Sequence, residues 1–307
     1  MNDNAIKDFG PESDISYTLP ESLLSFIRTS TSYIGKLSLF DKYIVWRYTI
    51  GSAAINYNLI FGKPNVNGKY WCFLFFLYFY NTYLSPKASE KRSIIIPVEF
   101  INYDKYFLNP KIFLKEATED EVVHIINMYT GRLQLIINKC PTPKKEIIVY
   151  KVSSKYPGIP ENLENGNVGI LQLPFNSTTI DPHFNFAPFV TETEGEGCCF
   201  FRIHIPKGAH CLYIPKEFHA YPFENEVLLP NGITFEVFDI YTSTYNYIPT
   251  SSVNIDLLQD VKDIVIGPVY EIRGYNGCKG TTSVDKHCKV ESKKFKVFEA
   301  TLIALNY

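Results

Sequence analysis

The chain has no excess of positive charge, because its 30 Lys and Arg residues are matched by 32 Asp and Glu, and its formal net charge is −2. This balance argues against a protein that binds nucleic acid through its overall charge, although a local basic patch remains compatible with it. The cysteines number seven, an odd count, and are scattered along the chain. They do not have the spacing of a disulfide framework, which favours a reducing compartment.

The chain also lacks a long hydrophobic run. Its most apolar stretch, residues 71–84, has 14 residues and several tyrosines, whereas a membrane-spanning helix needs about 20. We therefore predict a buried helix or strand there, and no membrane span. The first residues show no basic segment followed by an apolar core, so we expect no signal peptide and a cytoplasmic or virion-associated protein.

Helical patterns come first in this chain and β-rich runs follow, which is the order typical of an α+β fold. Residues 1–17 are polar and predict a flexible N-terminus, and residues 18–307 predict a single domain. Within that domain, residues 18–140 are mainly helical, with an insertion at about 64–117. Residues 141–307 contain short strand patterns separated by Gly, Pro and Asn, and predict a β-rich core.

Three helices can be placed from the pattern. Thr18 and Thr118 each begin a Thr-x-x-Glu capping box, which predicts helix starts beside them. Apolar residues then recur at helical spacing from Thr118 up to Cys140. A further helix is predicted over residues 41–59, and the Gly62-Lys63-Pro64 segment that follows prevents it from continuing.

Two acidic residues, Glu224 and Glu226, stand one residue apart at the start of an apolar strand pattern. Alternate side chains of a strand lie on one face, so both carboxylates are predicted to face one site. Such a pair is costly unless a cation binds between the two charges. Two acids on a solvated loop are the alternative interpretation.

The order of features around this pair resembles the arginine–serine–glutamate class of ADP-ribosyltransferases, which contains exoenzyme toxins and cell-surface mono-ADP-ribosyltransferases. Lys151 on a predicted strand is followed by Phe175-Asn176-Ser177-Thr178-Thr179 and then by the Glu224-Asn225-Glu226 segment. In the helical part, Tyr48-Thr49 and Ile55-Asn56 are similar to pairs found in that family. The resemblance implies N-terminal helices packed on two facing short β-sheets, with NAD as substrate between the sheets and no metal.

The resemblance also implies roles for the two acids and for Ser177. Glu226 would hydrogen-bond the nicotinamide ribose and stabilise an oxocarbenium-like transition state. Glu224 would hold and partly deprotonate the acceptor, and a Glu at this position implies a protein arginine as acceptor. Ser177 would orient Glu226, with Thr178 and Thr179 supporting the strand.

The remaining positions implied by the resemblance concern NAD binding. Lys151 stands where the family has an arginine; it keeps the charge that faces the NAD phosphates and loses the bidentate geometry. Three aromatic residues could stack on the nicotinamide or close the pocket: Phe184, Phe186 and Phe189.

Two alternative functions remain open from the sequence. One is a catalytically impaired protein of the same fold with a structural or partner-binding role, for example in a viral assembly, using the aromatic run within 64–117. The other is an NAD glycohydrolase, which would cleave NAD without a protein acceptor. A zinc site at Cys278, His287 and Cys288 is disfavoured by its spacing and by the missing fourth ligand.

Overall fold

The computed structural model describes residues 8–9, 19–88, 94–153, 169–181, 199–220, 224–247, 254–257, 270–273 and 291–303. In these residues the α-helices are α1 Glu21–Lys36, α2 Leu39–Ile50, α3 Ala53–Phe61, α4 Gly68–Phe79, α5 Asp104–Leu108, α6 Pro110–Glu116 and α7 Glu119–Lys139. The strands are β1 Asp8–Phe9, β2 Ile147–Ser153, β3 Gly169–Leu173, β4 Asn176–Thr179, β5 Cys199–Ile205, β6 Leu212–Tyr213, β7 Glu226–Leu229, β8 Ile233–Tyr247, β9 Asn254–Leu257, β10 Tyr270–Arg273 and β11 Glu291–Ile303.

The predicted capping box at Thr118 is confirmed. The Thr118 hydroxyl accepts a hydrogen bond from the Glu121 backbone N–H at 3.2 Å, and the Glu121 carboxylate accepts one from the Thr118 N–H at 2.9 Å. Helix α7 therefore starts with two of its free N–H groups satisfied. Helix α1 also begins near its predicted start, but its N-cap residue is Pro20, which has no side-chain capping bond. Thr18 lies outside the described residues.

The single helix predicted over 41–59 is in fact two helices, α2 and α3. The break falls at Gly51, whose extended φ of 176° takes the chain out of the helix. Helix α3 then ends at Gly62, which has a left-handed φ of 67° and donates its N–H to Asn58 O at 2.8 Å. Glycine is the residue that adopts this conformation without steric cost.

Residues 71–79 of the aromatic run lie in the buried helix α4, as predicted, and Tyr80–Leu84 continue it as a short π-helix without buried residues. Phe75 and Phe76 are fully buried. The Phe75 ring lies 5.7 Å from the ring of Tyr129 on α7, and Phe76 lies 4.8 Å from Phe107 on α5. The rings of α4 form the core of the helical layer, so they do not offer a partner-binding surface. None of the described helices is both long and apolar enough to span a bilayer.

The β-rich half forms a mixed sheet with the order β1-β8-β11-β5-β2-β4-β7-β6, in which β3 also pairs with β8; β9 and β10 form a separate ribbon. Between β2 and β4 the pairing is reduced to one residue pair, Tyr150 with Thr179. The two sheets expected from the sequence are thus joined into one hydrogen-bonded path. It divides at this pair into a larger part ending at β2 and a three-stranded part, β4-β7-β6. Helices followed by this mixed sheet confirm the α+β class.

Strand β7 lies between two hydrophobic cores. Leu228 packs with the helical core, whereas Val227 and Leu229 pack with a second core that includes Ile203 and Phe298 from the larger part of the sheet. Because strand side chains alternate between faces, Glu226 shares the face of Leu228. The carboxylate of Glu226, the first residue of β7, therefore faces the helical layer.

Candidate active site

The three-stranded part of the sheet brings the hydroxyl segment beside Glu226. Strands β4 and β7 are antiparallel, with Ser177 opposite Leu228 and Thr179 opposite Glu226. Residues opposite each other share a face of the sheet. Ser177 and Thr179 therefore lie on the same face as Glu226.

Thr178 and Thr179 make hydrogen bonds that stabilise this pair of strands. The buried Thr178 hydroxyl donates to Val227 O on β7 at 2.6 Å. The Thr179 hydroxyl accepts from the Asp181 N–H at 3.1 Å, just after β4 ends. Both contacts are to backbone groups, so they hold the strand in place. Phe184, Phe186 and Phe189 lie outside the described residues.

Lys151 reaches the hydroxyl strand from the neighbouring strand β2. Its ammonium donates a hydrogen bond to Ser177 O at 3.2 Å, and its side chain is half-buried. The cation therefore lies against β4, at the backbone carbonyl of the residue that carries the candidate hydroxyl. Two arginines that have the right charge are engaged elsewhere: Arg132 binds Asp41 at 2.6 Å, and Arg202 binds Glu299 at 2.5 Å.

Glu226 is a buried carboxylate with one partner on one of its two oxygens. Its side chain is 2% exposed, and Oε2 lies 2.5 Å from His219 Nε2. Oε1 makes no hydrogen bond within the part of the chain that the structure describes. The strand itself is anchored next to the carboxylate, because Ile214 N donates to Glu226 O at 2.9 Å.

Glu224 faces the same imidazole from the rim of the site. Its Oε2 lies 3.5 Å from His219 Nε2, and its side chain is 24% exposed. Strand β7 begins only at Glu226, so strand alternation is not what aligns the two acids. Asn225 between them has a left-handed φ of 47°, a conformation that Asn tolerates better than most residues. This turn directs both carboxylates to one point.

The environment of Glu224 disfavours its charged form. Burial raises its pKa from 4.5 to about 7, the neighbouring Glu226 charge adds to the rise, and His219 opposes it. Both like-charge proximity and desolvation act in this direction on a carboxyl group. The two carboxylates thus lie close together without enough nearby positive charge to balance them. This is the costly arrangement that the sequence predicts in the absence of a bound cation.

The helical layer completes the site through α2 and α3. Tyr48 on α2 is buried; burial and the Glu226 charge raise its pKa, while side-chain interactions with Ser177, Ser52 and Asn56 act in the opposite direction. Its ring packs edge-on against Phe175, 5.8 Å away. Tyr48 therefore lies close to both the hydroxyl strand and the buried carboxylate.

Two further contacts fix the loops on either side of the carboxylates. Asn56 Nδ2 on α3 donates to Phe175 O at 3.2 Å, directly before β4. The Thr49 hydroxyl on α2 accepts from Ala220 N at 2.9 Å, directly after His219. The residue pairs that carried the resemblance in the helical part thus contact the two segments that hold Ser177 and Glu226.

His219 is the site residue that the sequence did not reveal. It follows the short 3₁₀ helix Lys216–Phe218 and is buried with its Nε2 towards both acids. A single histidine five positions before Glu224 belongs to no motif and has no periodic relation to the pair. Its proximity in sequence was the one available signal.

The comparison with known families agrees with this geometry. The model of the family described as "ADP-ribosyltransferase exoenzyme" matches residues 137–266. This segment is thus similar in sequence to the ADP-ribosyltransferase exoenzyme family. The match contains Lys151, Ser177, Glu224 and Glu226, and the resemblance to this class of transferase is confirmed. That Lys151 stands at the position of the family's arginine stays a prediction.

Several solved structures of ADP-ribosyltransferase toxins are similar to this chain. C3stau2 from S. aureus, solved with NAD, is 15% identical with a TM-score of 0.44 and is aligned over 96% of this chain and 100% of that chain. Plx2a from Paenibacillus larvae is 12% identical with a TM-score of 0.44, over 92% and 96%. The C3 exoenzyme of Clostridium limosum is 12% identical with a TM-score of 0.41, over 95% and 98%. No curated protein sequence matches the chain.

The ADP-ribosyltransferase match starts within the last turn of α7 and leaves most of the helical layer outside it. Tyr48, Thr49 and Asn56 lie in that unmatched part, yet they contact β4, Ala220 or the Glu226 surroundings. The site therefore depends on residues from both halves of the chain.

Proposed function

We propose that the protein is an NAD-dependent mono-ADP-ribosyltransferase that modifies a protein arginine. The observation that carries this proposal is the buried Glu226 carboxylate, which has one oxygen on His219 and the other without a hydrogen bond within the described residues. It lies beside the Ser177 strand in a segment that matches the transferase family. The proposed transferase domain comprises residues 18–307, with the helical part 18–140 and the β-rich core 141–307 both contributing to the site.

Cleavage of NAD needs a negative charge where a positive one develops. As the bond between the ribose carbon and the nicotinamide nitrogen breaks, nicotinamide leaves with the electron pair and the ribose takes on oxocarbenium character. A fixed carboxylate in a dry site stabilises that charge more strongly than it would in water. We assign this role to Glu226, which His219 holds through Oε2. Ser177, on the same face of the sheet, makes no hydrogen bond to Glu226 in this structure and would complete its orientation only when NAD is bound.

Transfer to a protein needs a group that holds the acceptor. Glu224, at the partly exposed rim, is placed to bind an incoming guanidinium, which pairs well with a carboxylate. With a pKa of about 7 it can also accept a proton from the acceptor nitrogen as the new bond to the ribose carbon forms. The acceptor would therefore approach from the side of Glu224, while NAD lies deeper, against Glu226.

NAD itself would be held by Lys151 and by the hydroxyl strand. The Lys151 ammonium supplies a positive charge for the NAD phosphates next to Ser177. Thr178 and Thr179 keep that strand in register. We also propose that the nicotinamide ring stacks on Phe184, Phe186 or Phe189.

The test is incubation of the full chain with NAD labelled in its adenylate part and a mixed protein extract. We expect labelled protein and free nicotinamide in equal amounts, and labelling of an arginine-containing peptide that is lost when its arginine is replaced by lysine. Nicotinamide release without labelled protein would mean an NAD glycohydrolase. The absence of both products would overturn the enzymatic proposal and favour the non-catalytic alternative.

Replacement of Lys151 by alanine is expected to raise the KM for NAD by about one to two orders of magnitude, because a charge-assisted hydrogen bond to a phosphate contributes on the order of 1.5–3 kcal/mol. The change in kcat should be smaller, since the phosphates are bound in the ground state as well as in the transition state. Steady-state nicotinamide release measures both constants. Lys151→Arg keeps the charge and should retain affinity, and the exposed Lys144→Ala is the matched control. A KM unchanged by Lys151→Ala would limit the residue to supporting β4.

A further inference from the structure

We propose that His219, Glu224 and Glu226 form a binding site for a divalent transition metal ion such as Zn²⁺. Their three donor atoms, one imidazole nitrogen and two carboxylate oxygens, lie within 4.8 Å of one another. Among the described residues, this is the one group of three or more His, Cys, Asp or Glu side chains close enough to share a metal ion. The resemblance to the transferase family implies no metal, so metal binding by these residues goes beyond what the resemblance implies.

A second observation, separate from the clustering, points to a missing ligand. Glu226 is 2% exposed, and its Oε1 has no hydrogen bond within the described residues. A buried polar atom without a partner costs about 1–3 kcal/mol, and more when it is charged. A cation at this position would remove that cost.

The donor types indicate which ions fit. Imidazole nitrogen with carboxylate oxygen is a common donor set for Zn²⁺, with distances of about 2.0–2.2 Å from ion to donor and water in the remaining position. Donors on one such ion are about 3–3.5 Å apart. The 3.5 Å between His219 and Glu224 fits this spacing, and the 2.5 Å between His219 and Glu226 must widen. Mg²⁺ prefers oxygen donors and keeps its waters, so it should bind poorly.

Binding of the ion would have a consequence for catalysis. The metal would take the Glu226 oxygens that face the developing ribose cation, and the Glu224 oxygens that face the acceptor. This consequence rests on the proposed function, whereas binding itself does not. Zn²⁺ would then act as an inhibitor of the transferase, reversed by a chelator.

The direct test is titration calorimetry of the EDTA-treated full chain with ZnCl₂ and with MgCl₂. We expect one Zn²⁺ site and no Mg²⁺ site. His219→Ala and Glu224→Gln should each weaken Zn²⁺ at least tenfold. Glu224→Gln is at the rim and keeps the buried pair intact, so it decides the result if His219→Ala does not fold. The exposed His124→Ala and Glu217→Gln variants are controls and should bind as the wild type does.

Binding of Zn²⁺ by cysteines outside the described residues is the competing explanation for a calorimetric signal. A Cys278→Ser/Cys288→Ser variant should keep the site. Loss of Zn²⁺ binding in that variant, or equal binding by Glu224→Gln and wild type, would overturn the proposal. Nicotinamide release is measured in parallel with Zn²⁺ and with EDTA. Activity without Zn²⁺ binding would refute the metal site alone, and Zn²⁺ binding without any NAD cleavage would refute the proposed function alone.

Discussion

Replacement of Glu226 by glutamine is expected to lower the kcat of nicotinamide release by about two to three orders of magnitude, the range found when one preorganised electrostatic group is removed from a dry site. The amide has nearly the size of the carboxylate but no charge, so the ribose cation loses its nearest negative partner. Affinity for NAD should change much less, because the positive charge reaches the ribose only in the transition state, whereas in bound NAD it lies on the nicotinamide ring. A fall in kcat with a nearly constant Kd for NAD is thus the expected signature.

The measurement pairs stopped-time nicotinamide release with NAD binding by calorimetry. Circular dichroism and thermal unfolding of Glu226→Gln establish that the site is still folded, since His219 loses a charged partner. The exposed Glu217→Gln, in the 3₁₀ helix just before His219, controls for a loss of negative charge near the site. A folded Glu226→Gln protein with wild-type kcat would remove Glu226 from the reaction and with it the main support for the proposed function.

Local signals in the sequence were sufficient for the elements on which the site depends. The Thr118–Glu121 capping box set the start of α7 because both of its hydrogen bonds are made by residues three positions apart. The order of Lys151, Ser177 and Glu226 indicated the site because the strands that carry them lie side by side in the sheet. Such features need no knowledge of the distant packing.

Other features depend on contacts that the sequence pattern does not encode. The apolar pattern continues across Gly51, so it gave no sign that the helix breaks there to direct Tyr48 and Asn56 to β4. His219 meets the acids because Thr49 holds Ala220 in place, a contact between residues 171 positions apart. Alignment of the two carboxylates was predicted correctly for a different reason, since the turn at Asn225 and not strand alternation produces it.

Replacement of Glu224 by glutamine is expected to separate the two halves of the reaction. Protein labelling should fall by about two orders of magnitude, as it does when a general base is removed, whereas nicotinamide release should stay within a few-fold of the wild type because Glu226 remains. Labelling and nicotinamide are measured in the same samples, in EDTA and at pH 8. An equal loss of both products would place Glu224 in NAD cleavage and not at the acceptor.

The same variant has a stability signature that does not depend on any substrate. The Glu224 pKa is raised from 4.5 to about 7 by burial and by Glu226, so the folded state holds a proton that the unfolded chain has already released between these values. Folding is therefore favoured at low pH, and that contribution is lost as the pH rises towards 7. Glutamine does not titrate, so the unfolding free energy of Glu224→Gln relative to the wild type should increase from pH 4.5 to pH 8, as followed by urea denaturation in EDTA. A difference that stays constant with pH would mean that Glu224 is ionised freely at the rim, and its proposed role as a proton acceptor near neutral pH would then fail.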